Sequence, residues 1–203
     1  IYAASVRDAF FLQGYNAARD RLWQIDLWRK RGLGRLAEDF GPAYAAQDRA
    51  ARLFLYRGDM DAEWAAYGVG AKSNTEAWTA GVNAYVAEIN SGKRPLPPEF
   101  RLAGSKPALW AADDVVRIRS HGLTRNVGLE VSRARIACAA GLPAARLLKL
   151  LEPAWTTKVP EGLEPCDIPV GVLADYGLAT SGVRFSPKTA GLAALDVPPD
   201  AVG

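Results

Sequence analysis

The chain has 203 residues, of which 49% are hydrophobic and 23% charged; it can fill a core of its own or contribute much of a core shared with a partner, and its composition argues against disorder. The net charge of +3 comes from acidic and basic residues interspersed along the chain, which argues against the concentrated basic surface of a nucleic-acid-binding protein. No apolar run reaches the length of about 18 residues that marks a membrane-spanning helix.

The first predicted element is a long N-terminal helix. Ser5 is a residue type favoured at the N-cap, and the apolar pattern predicts a helix over 6–31. Gly32 and Gly34 interrupt that helix before a short turn. A second helix is predicted over 43–55.

A third helix is predicted in the middle of the chain. Ser73 and Glu76 have capping-box spacing before the sequence AWTAGVNAYVAEINS, whose apolar residues recur with helical spacing. Gly92 stands where a C-terminal cap belongs. We therefore expect a helix that starts near Ser73 and ends before Gly92.

A stretch rich in proline and glycine, 92–110, follows this helix. It predicts an ordered, extended connection that packs Leu96, Phe100 and Trp110 onto the helices.

Three further segments have helical patterns: 111–123, 130–140 and 142–152. The first carries two acidic residues near its N-terminus, where the helix dipole favours negative charge. Pro143 stands in the first turn of the third, a natural position for proline.

Residues with catalytic chemistry are few. His121 is the only histidine, which argues against a histidine metal site and against a serine triad. No glycine loop has phosphate-binding spacing, and no acidic cluster has calcium-loop spacing. Cys138 and Cys166 are too far apart in sequence for a zinc knuckle or a redox pair, and their spacing leaves open both a disulfide and two buried free thiols. These residues alone indicate a helical domain without a catalytic or metal-binding site of its own.

Several motifs occur in a fixed order along the first three quarters of the chain. They are GYNAARDRLWQIDLWRKRGLGRLAE at 14–38, Asp48 with Arg52, GVNAYV at 81–86, LPPEFRLAG at 96–104 and HGLTRNVGLE at 121–130. Together these motifs, spread over 1–152, resemble the α-chain of the penicillin acylase family of N-terminal nucleophile hydrolases.

The resemblance implies a heterodimer that is cut from one precursor. Its larger β-chain begins with a serine that is the nucleophile and whose α-amino group is the base; Ile1 of this chain is not a nucleophile. The implied fold is a mainly α chain that wraps the β-subunit, within a complete αββα enzyme. We expect a helical body over 1–152, an extended Pro-rich packing segment over 153–179, and a tail over 180–203 that derives from the spacer before the nucleophile.

The resemblance also implies site residues. Leu123, Arg125 and Asn126 would line the acyl pocket; the alternative is that Arg125 and Asn126 cap a helix bend. Penicillin G members carry phenylalanine at the position of Asn126, and this departure argues against a phenylacetyl preference. Glu130 corresponds to a glutamate that binds a structural calcium together with β-chain oxygens; the alternative is a surface or helix-capping glutamate.

The charges of the first helix are expected to form paired, partly buried contacts that fix this helix against the β-chain. The residues concerned are Arg19, Asp20, Arg21 and Asp26.

The implied function is that of the α-subunit of a secreted or periplasmic amidohydrolase. It would deacylate N-acyl homoserine lactones, penicillins or both, with no organic cofactor, no nucleic-acid partner and no membrane span. The alternative is a non-catalytic helical binding or regulatory subunit. Export into an oxidising compartment favours the disulfide between Cys138 and Cys166 over two free thiols.

Overall fold

The computed structural model describes residues 2–119, 126–148 and 156–185. These residues form helices, turns and loops and contain no strand, in agreement with the prediction of a mainly α chain. No helix among them is both long and apolar enough to cross a bilayer. The α-helices are α1 (Val6–Leu33), α2 (Leu36–Phe40), α3 (Ala45–Leu53), α4 (Met60–Ala66), α5 (Ala71–Asn90), α6 (Pro98–Ala103), α7 (Ala112–Ile118), α8 (Val127–Ala140), α9 (Leu142–Ala145) and α10 (Ala174–Thr180). Short 3-10 turns cover Pro42–Tyr44 and Pro165–Asp167.

The long helix α1 begins and ends close to where the sequence predicts. The Ser5 hydroxyl accepts a hydrogen bond from the Asp8 N–H at 3.1 Å, which satisfies one of the free donors of the first turn. Gly34 ends the helix with a φ of 66°, a conformation that favours glycine. The helix is broken once, at Arg21, where φ is −143° and ψ is 33°.

Helices α1 and α5 approach each other until their backbones touch. A Cβ atom on Gly14 would lie 2.0 Å from the carbonyl oxygen of Trp78, and one on Gly81 would lie 2.0 Å from that of Phe11. Only glycine leaves room for this approach at both positions. The crossing brings apolar faces together in the main core, whose buried members are Ala18, Leu22, Val82, Tyr85, Val86, Ile89, Phe100 and Trp110.

The connection between α5 and α7 differs in part from the prediction. Leu96, Phe100 and Trp110 pack on the core as expected, with Phe100 fully buried. However, the connection is not extended throughout, because it contains the helix α6. The C-terminal end of this connection is held by the Asn83 side chain of α5. The Asn83 amide donates to the Trp110 carbonyl and accepts from the Trp110 N–H, each at 2.8 Å.

Three other local predictions were wrong. Helix α5 begins at Ala71 behind Gly70, and the Ser73 hydroxyl donates to the Gly70 carbonyl at 3.0 Å, so Ser73 is not the N-cap. The helical pattern over 142–152 yields the short helix α9, which ends at Ala145; residues 149–155 lie outside the described residues. Helix α10 lies within the segment predicted as extended and packs on α3, where Tyr176 meets Phe54 edge to face.

The turn between α1 and α2 is held by two polar side chains of α3. The Asp48 carboxylate accepts the N–H groups of Leu36 and Ala37, both at 2.8 Å, and so caps α2 from a distance. The Arg52 guanidinium donates twice to the Gly34 carbonyl, at 2.9 and 2.7 Å. The motif formed by Asp48 and Arg52 therefore has a structural role.

The end of the described chain packs on a second, smaller cluster. Phe185 contacts Phe40 and Tyr44, and the Tyr44 hydroxyl donates to the Arg184 carbonyl at 2.8 Å. Gln47 donates to the carbonyl and hydroxyl of Ser181. The first residues of the predicted tail are thus part of the packed body; 186–203 lie outside the described residues, and their origin from a spacer stays a prediction.

The two cysteines form a disulfide, as the resemblance led us to expect. The Sγ–Sγ distance is 2.16 Å and the Cα atoms of Cys138 and Cys166 are 5.0 Å apart. This bond joins α8 to the 3-10 turn Pro165–Asp167.

The contact between α1 and α5 leads to a stability prediction. We expect Gly81→Ala to lower the free energy of unfolding by about 3 kcal/mol or more, because the new methyl group would force two backbones apart. Gly128→Ala is the matched control: Gly128 is the second residue of α8, and a Cβ atom there would meet nothing within 4 Å, so alanine should change the free energy of unfolding by less than about 1 kcal/mol. Thermal and urea unfolding measure both. An unchanged midpoint for Gly81→Ala would contradict the backbone contact.

Candidate substrate-binding and metal-binding residues

Two of the four candidate site residues lie at the start of α8. Leu123 and Arg125, with His121, lie outside the described residues. Asn126 and Glu130 are described, and one helical turn separates them, so they lie on one face of the helix. The structure thus places two of the four candidates together.

Asn126 is the N-cap residue of α8, but its side chain does not cap the helix. Its carbonyl accepts the N–H groups of Leu129 and Glu130 at 2.9 and 3.1 Å, whereas the side chain forms no capping hydrogen bond. Asn126 is exposed, so its amide can donate and accept hydrogen bonds outside the chain.

Glu130 carries the candidate metal-binding carboxylate. Its Oε1 atom lies 3.8 Å from Nε of Arg133, and the Glu130 side chain is 49% exposed. Arg133 is buried beneath it and also donates to the Ala145 carbonyl at 3.4 Å, which ties α8 to α9. Because 3.8 Å exceeds hydrogen-bond length, the Glu130 oxygens keep most of their capacity to bind an external group.

Among the candidate site residues described by the structure, Glu130 offers the one carboxylate that could bind calcium. Among the described residues, no group of three or more histidine, cysteine, aspartate or glutamate side chains could hold a metal ion. Calcium takes six to eight oxygen ligands. Glu130 has the right chemistry and exposure for one ligand of a site that other chains or segments complete; the nearby Arg133 opposes metal binding by charge repulsion.

The helix before the candidate pocket is fixed by a buried ion pair. Arg29 of α1 and Asp114 of α7 meet with Nε and Oδ2 2.6 Å apart, and both residues are buried. The same Asp114 oxygen accepts the Ala111 N–H at 3.0 Å, which satisfies a free donor at the start of α7. Residues 120–125, which include two pocket candidates, follow directly after this helix and Arg119.

The C-terminal end of α7 is held by a second set of contacts. Arg117 donates to the Tyr56 carbonyl at 3.0 Å and accepts the Tyr56 N–H at 3.2 Å through its own carbonyl. Arg119 forms an ion pair with Glu63 and lies over the Tyr67 ring, 5.0 Å from its centroid. Helix α7, which precedes the candidate pocket segment, is therefore anchored at both ends.

The structure tests the predicted charge contacts of the first helix only within this chain. Arg19 and Asp20 pair with each other at 3.0 Å, but their side chains are 53% and 59% exposed in this chain. Asp26 is buried and pairs with Lys30 at 2.7 Å; burial raises the pKa of the Asp26 carboxyl, and the Lys30 ammonium opposes that rise. The ammonium also contacts Asp39. The paired burial thus occurs inside this chain, at Asp26.

An apolar groove lies beside Glu130. It has a volume of about 500 Å³ and runs between α8 and the segment 156–168. Glu130, Arg133 and Lys158 are its charged lining residues. No pattern in the sequence indicated this groove, because the residues of its two walls are distant in the chain.

Comparison with known proteins assigns this chain to a family. A family model described as penicillin amidase matches residues 1–190. The chain belongs to the penicillin amidase family. The resemblance inferred from the ordered motifs is therefore confirmed.

The similar proteins include penicillin acylases and acyl-homoserine lactone acylases. Penicillin acylase 2 proenzyme from Pseudomonas sp. (strain SE83) is 38% identical over 110 residues, 54% of this chain and 14% of the relative. Acyl-homoserine lactone acylase QuiP from Pseudomonas aeruginosa is 29% identical over 140 residues, 68% of this chain and 16% of the relative. The matched part of the chain thus spans about one seventh of the length of these relatives.

A solved structure shares the fold. It is the thermostable penicillin G acylase from Alcaligenes faecalis, matched with a TM-score of 0.56 and 22% identity. The match covers 78% of this chain and 91% of that chain. The chain in that structure is therefore similar in size to this one.

Proposed function

We propose that this chain is the α-subunit of a heterodimeric amidohydrolase that deacylates N-acyl homoserine lactones, penicillins or both. One contrast carries the proposal. The chain matches about one seventh of the full-length relatives but covers 91% of the matched chain in the solved acylase, so it corresponds to a whole chain there. The proenzyme name of one relative supports a precursor that is divided by cleavage.

The proposed division of chemistry assigns the nucleophile to the β-subunit. Its N-terminal serine attacks the amide carbonyl to form a covalent acyl-enzyme and releases the amine; water then releases the acid. The serine's α-amino group acts as the base, so the reaction needs no histidine. This chain binds and orients the acyl group, and the complete enzyme has the layered αββα architecture.

The proposed contribution to the acyl pocket comes from the segment between α7 and α8. Leu123, Arg125 and Asn126 form the pocket side of this chain. The exposed amide of Asn126 supports this assignment, as does the anchored helix α7 before this segment. A pocket wall must be held in place if it is to discriminate acyl groups that differ by one methylene, a difference of about 1–3 kcal/mol.

The names of the relatives guide the substrate class. Penicillin acylases and acyl-homoserine lactone acylases both occur among them, and both names describe cleavage of an acyl group from an amine. We propose a periplasmic or secreted location, which the disulfide Cys138–Cys166 supports because such bonds persist in oxidising compartments.

The first prediction from the proposed function concerns subunit composition. Expression of the complete precursor should yield this chain together with a larger chain that begins with serine. The complex should release homoserine lactone or the penicillin nucleus, because it contains the nucleophile, whereas the isolated chain should release neither. Intact mass, N-terminal sequencing and an amine-release assay measure this.

A precursor whose future N-terminal serine is replaced by alanine is the matched control. It should fold, remain uncleaved and stay inactive. Activity of the isolated chain would contradict the proposal. So would copurification with a chain that lacks an N-terminal nucleophile, a result that would favour a non-catalytic binding or regulatory subunit.

The second prediction concerns acyl selectivity. Leu123→Ala and Asn126→Phe in the complex should change the relative kcat/KM between short and long acyl chains by about tenfold, since the pocket wall changes shape. The control is Arg101→Ala, an exposed position on α6, which should leave the ratio unchanged. A uniform loss for every substrate, together with a lower Tm, would instead indicate a purely structural role.

The third prediction concerns calcium. We propose that Glu130 supplies one carboxylate to a structural calcium ion. Glu130→Gln should then lower the calcium content of the complex, and chelation should no longer change its Tm. Full occupancy is expected to stabilise the native complex by about 2.7 kcal/mol at a hundredfold excess of calcium over Kd.

The exposed Glu161 provides a matched control on the segment opposite α8. Glu161→Gln should keep both the calcium content, measured by mass spectrometry of metals, and the response to chelation. Normal calcium content in Glu130→Gln would show that Glu130 is an ordinary surface residue.

A further inference from the structure

Helix α8 has an unusual distribution of burial. Its sequence, VGLEVSRARIACAA, is apolar on most sides, yet Arg133 is its only buried residue. An α-helix that is hydrophobic all round is normally buried on all sides. The described residues therefore leave apolar surface on α8 uncovered.

Part of this surface forms the groove beside Glu130. Its apolar lining includes Val131 and Ala134 of α8, with Val159, Leu163 and Ile168 of the opposite segment. Val159 and Leu163 remain 39% and 43% exposed. The groove is thus a concave surface on which further apolar side chains would be favourably buried.

The two walls of the groove are tied together. The disulfide Cys138–Cys166 joins them covalently. Arg135 donates to the Val170 carbonyl at 2.6 Å, and Arg146 donates to the Thr157 carbonyl at 3.4 Å. A groove held in this way is already formed before it is occupied, which lowers the entropic cost of binding.

Other exposed apolar side chains lie in the same part of the chain as the groove. Among the described residues, seven of the fifteen exposed large hydrophobic side chains lie between 127 and 173: Leu129, Leu147, Leu148, Val159, Leu163, Val170 and Val172. A small ligand in the groove would leave most of them in water. Five of these seven side chains are not among the residues that line the groove, so covering them as well requires a protein-sized partner.

The charges of the groove restrict the partner further. Glu130 lies beside Arg133, whereas Lys158 forms no ion pair with the described residues. An occupant with an acidic side chain next to its apolar anchor would pair with Lys158 when it binds.

We propose that this groove is the docking surface for an apolar segment of the β-subunit that carries an acidic residue beside its apolar anchor. The inference rests on the proposed function, which supplies the partner. The aligned relatives extend over several times the matched length, so most of such a precursor lies outside this chain and is available to cover the groove.

The test uses photocrosslinking in the complete, processed protein. A benzophenone amino acid replaces Ala134 or Leu163, one in each wall of the groove, and peptide mapping identifies the crosslinked sequence. We expect both probes to label the same β-subunit peptide, with an acidic residue next to apolar ones. A probe at Asp61, whose side chain is 93% exposed on α4, reports background labelling.

Each other outcome overturns the proposal. Labelling of residues 149–155 of this chain would show that the chain covers its own groove, and labelling of a second copy would show self-association. Labelling of different, scattered peptides, or of no β-subunit peptide, would exclude docking there. If no β-subunit copurifies before irradiation, the proposed function itself fails, and this is visible in the intact mass.

A charge reversal gives an independent measurement. Lys158→Glu should weaken association of the two chains at least tenfold, and 0.5 M salt should reduce the difference between variant and wild type. Lys72→Glu, on the exposed face of α5, is the control and should leave association unchanged. Equal affinity of Lys158→Glu and wild type would show that the occupant carries no acidic residue beside Lys158 and would overturn the proposal.

Discussion

Helices α1 and α5 touch through their backbones, and this contact sets the geometry of the main core. Gly14 and Gly81 each lack the Cβ atom that would collide with the opposite carbonyl. The close crossing sets the distance at which the apolar faces of the two helices meet, and a packed interior tolerates little change in that distance. Phe100 and Trp110, which arrive from the connection after α5, fill the space that this crossing defines.

Buried charges then fix the position of α7 relative to this pair of helices. Arg29 reaches Asp114 from the same helix that carries Asp26 and Lys30. Buried ion pairs contribute little net stability, but loss of one partner leaves a buried charge unpaired, at a cost of about 3–5 kcal/mol. Alternative placements of α7 would separate Arg29 from Asp114 and are disfavoured for that reason. The start of the candidate pocket segment is thereby connected to the core through one directional contact.

The sequence predicts the parts of this fold that depend on short-range signals such as helix caps. Ser5 and Gly34 mark the two ends of α1 because a hydroxyl cap and a left-handed glycine have recognisable positions. The start of α5 was missed because glycine at an N-cap is a weak signal, and Ser73 offered a stronger but incorrect one.

Contacts between residues that are far apart in the sequence could not be predicted from local sequence patterns. Arg29 and Asp114 are 85 positions apart, and nothing in the spacing of either residue indicates the other. The candidate site residues Asn126 and Glu130 came from family resemblance alone, since no local pattern marks an exposed amide or carboxylate as a binding group. The structure adds their common face on α8 and the groove beside them, which depends on chain segments that only the fold brings together.

The break in α1 at Arg21 has a geometric consequence. A straight helix of 28 residues would be about 42 Å long, whereas a small domain is about 30 Å across. The break lies between the contact of α1 with α5 at Gly14 and its contact with α7 through Arg29. One continuous stretch of chain thus contacts two neighbours on either side of a single non-helical residue, and a change of backbone conformation at Arg21 would shift the two contacts relative to each other.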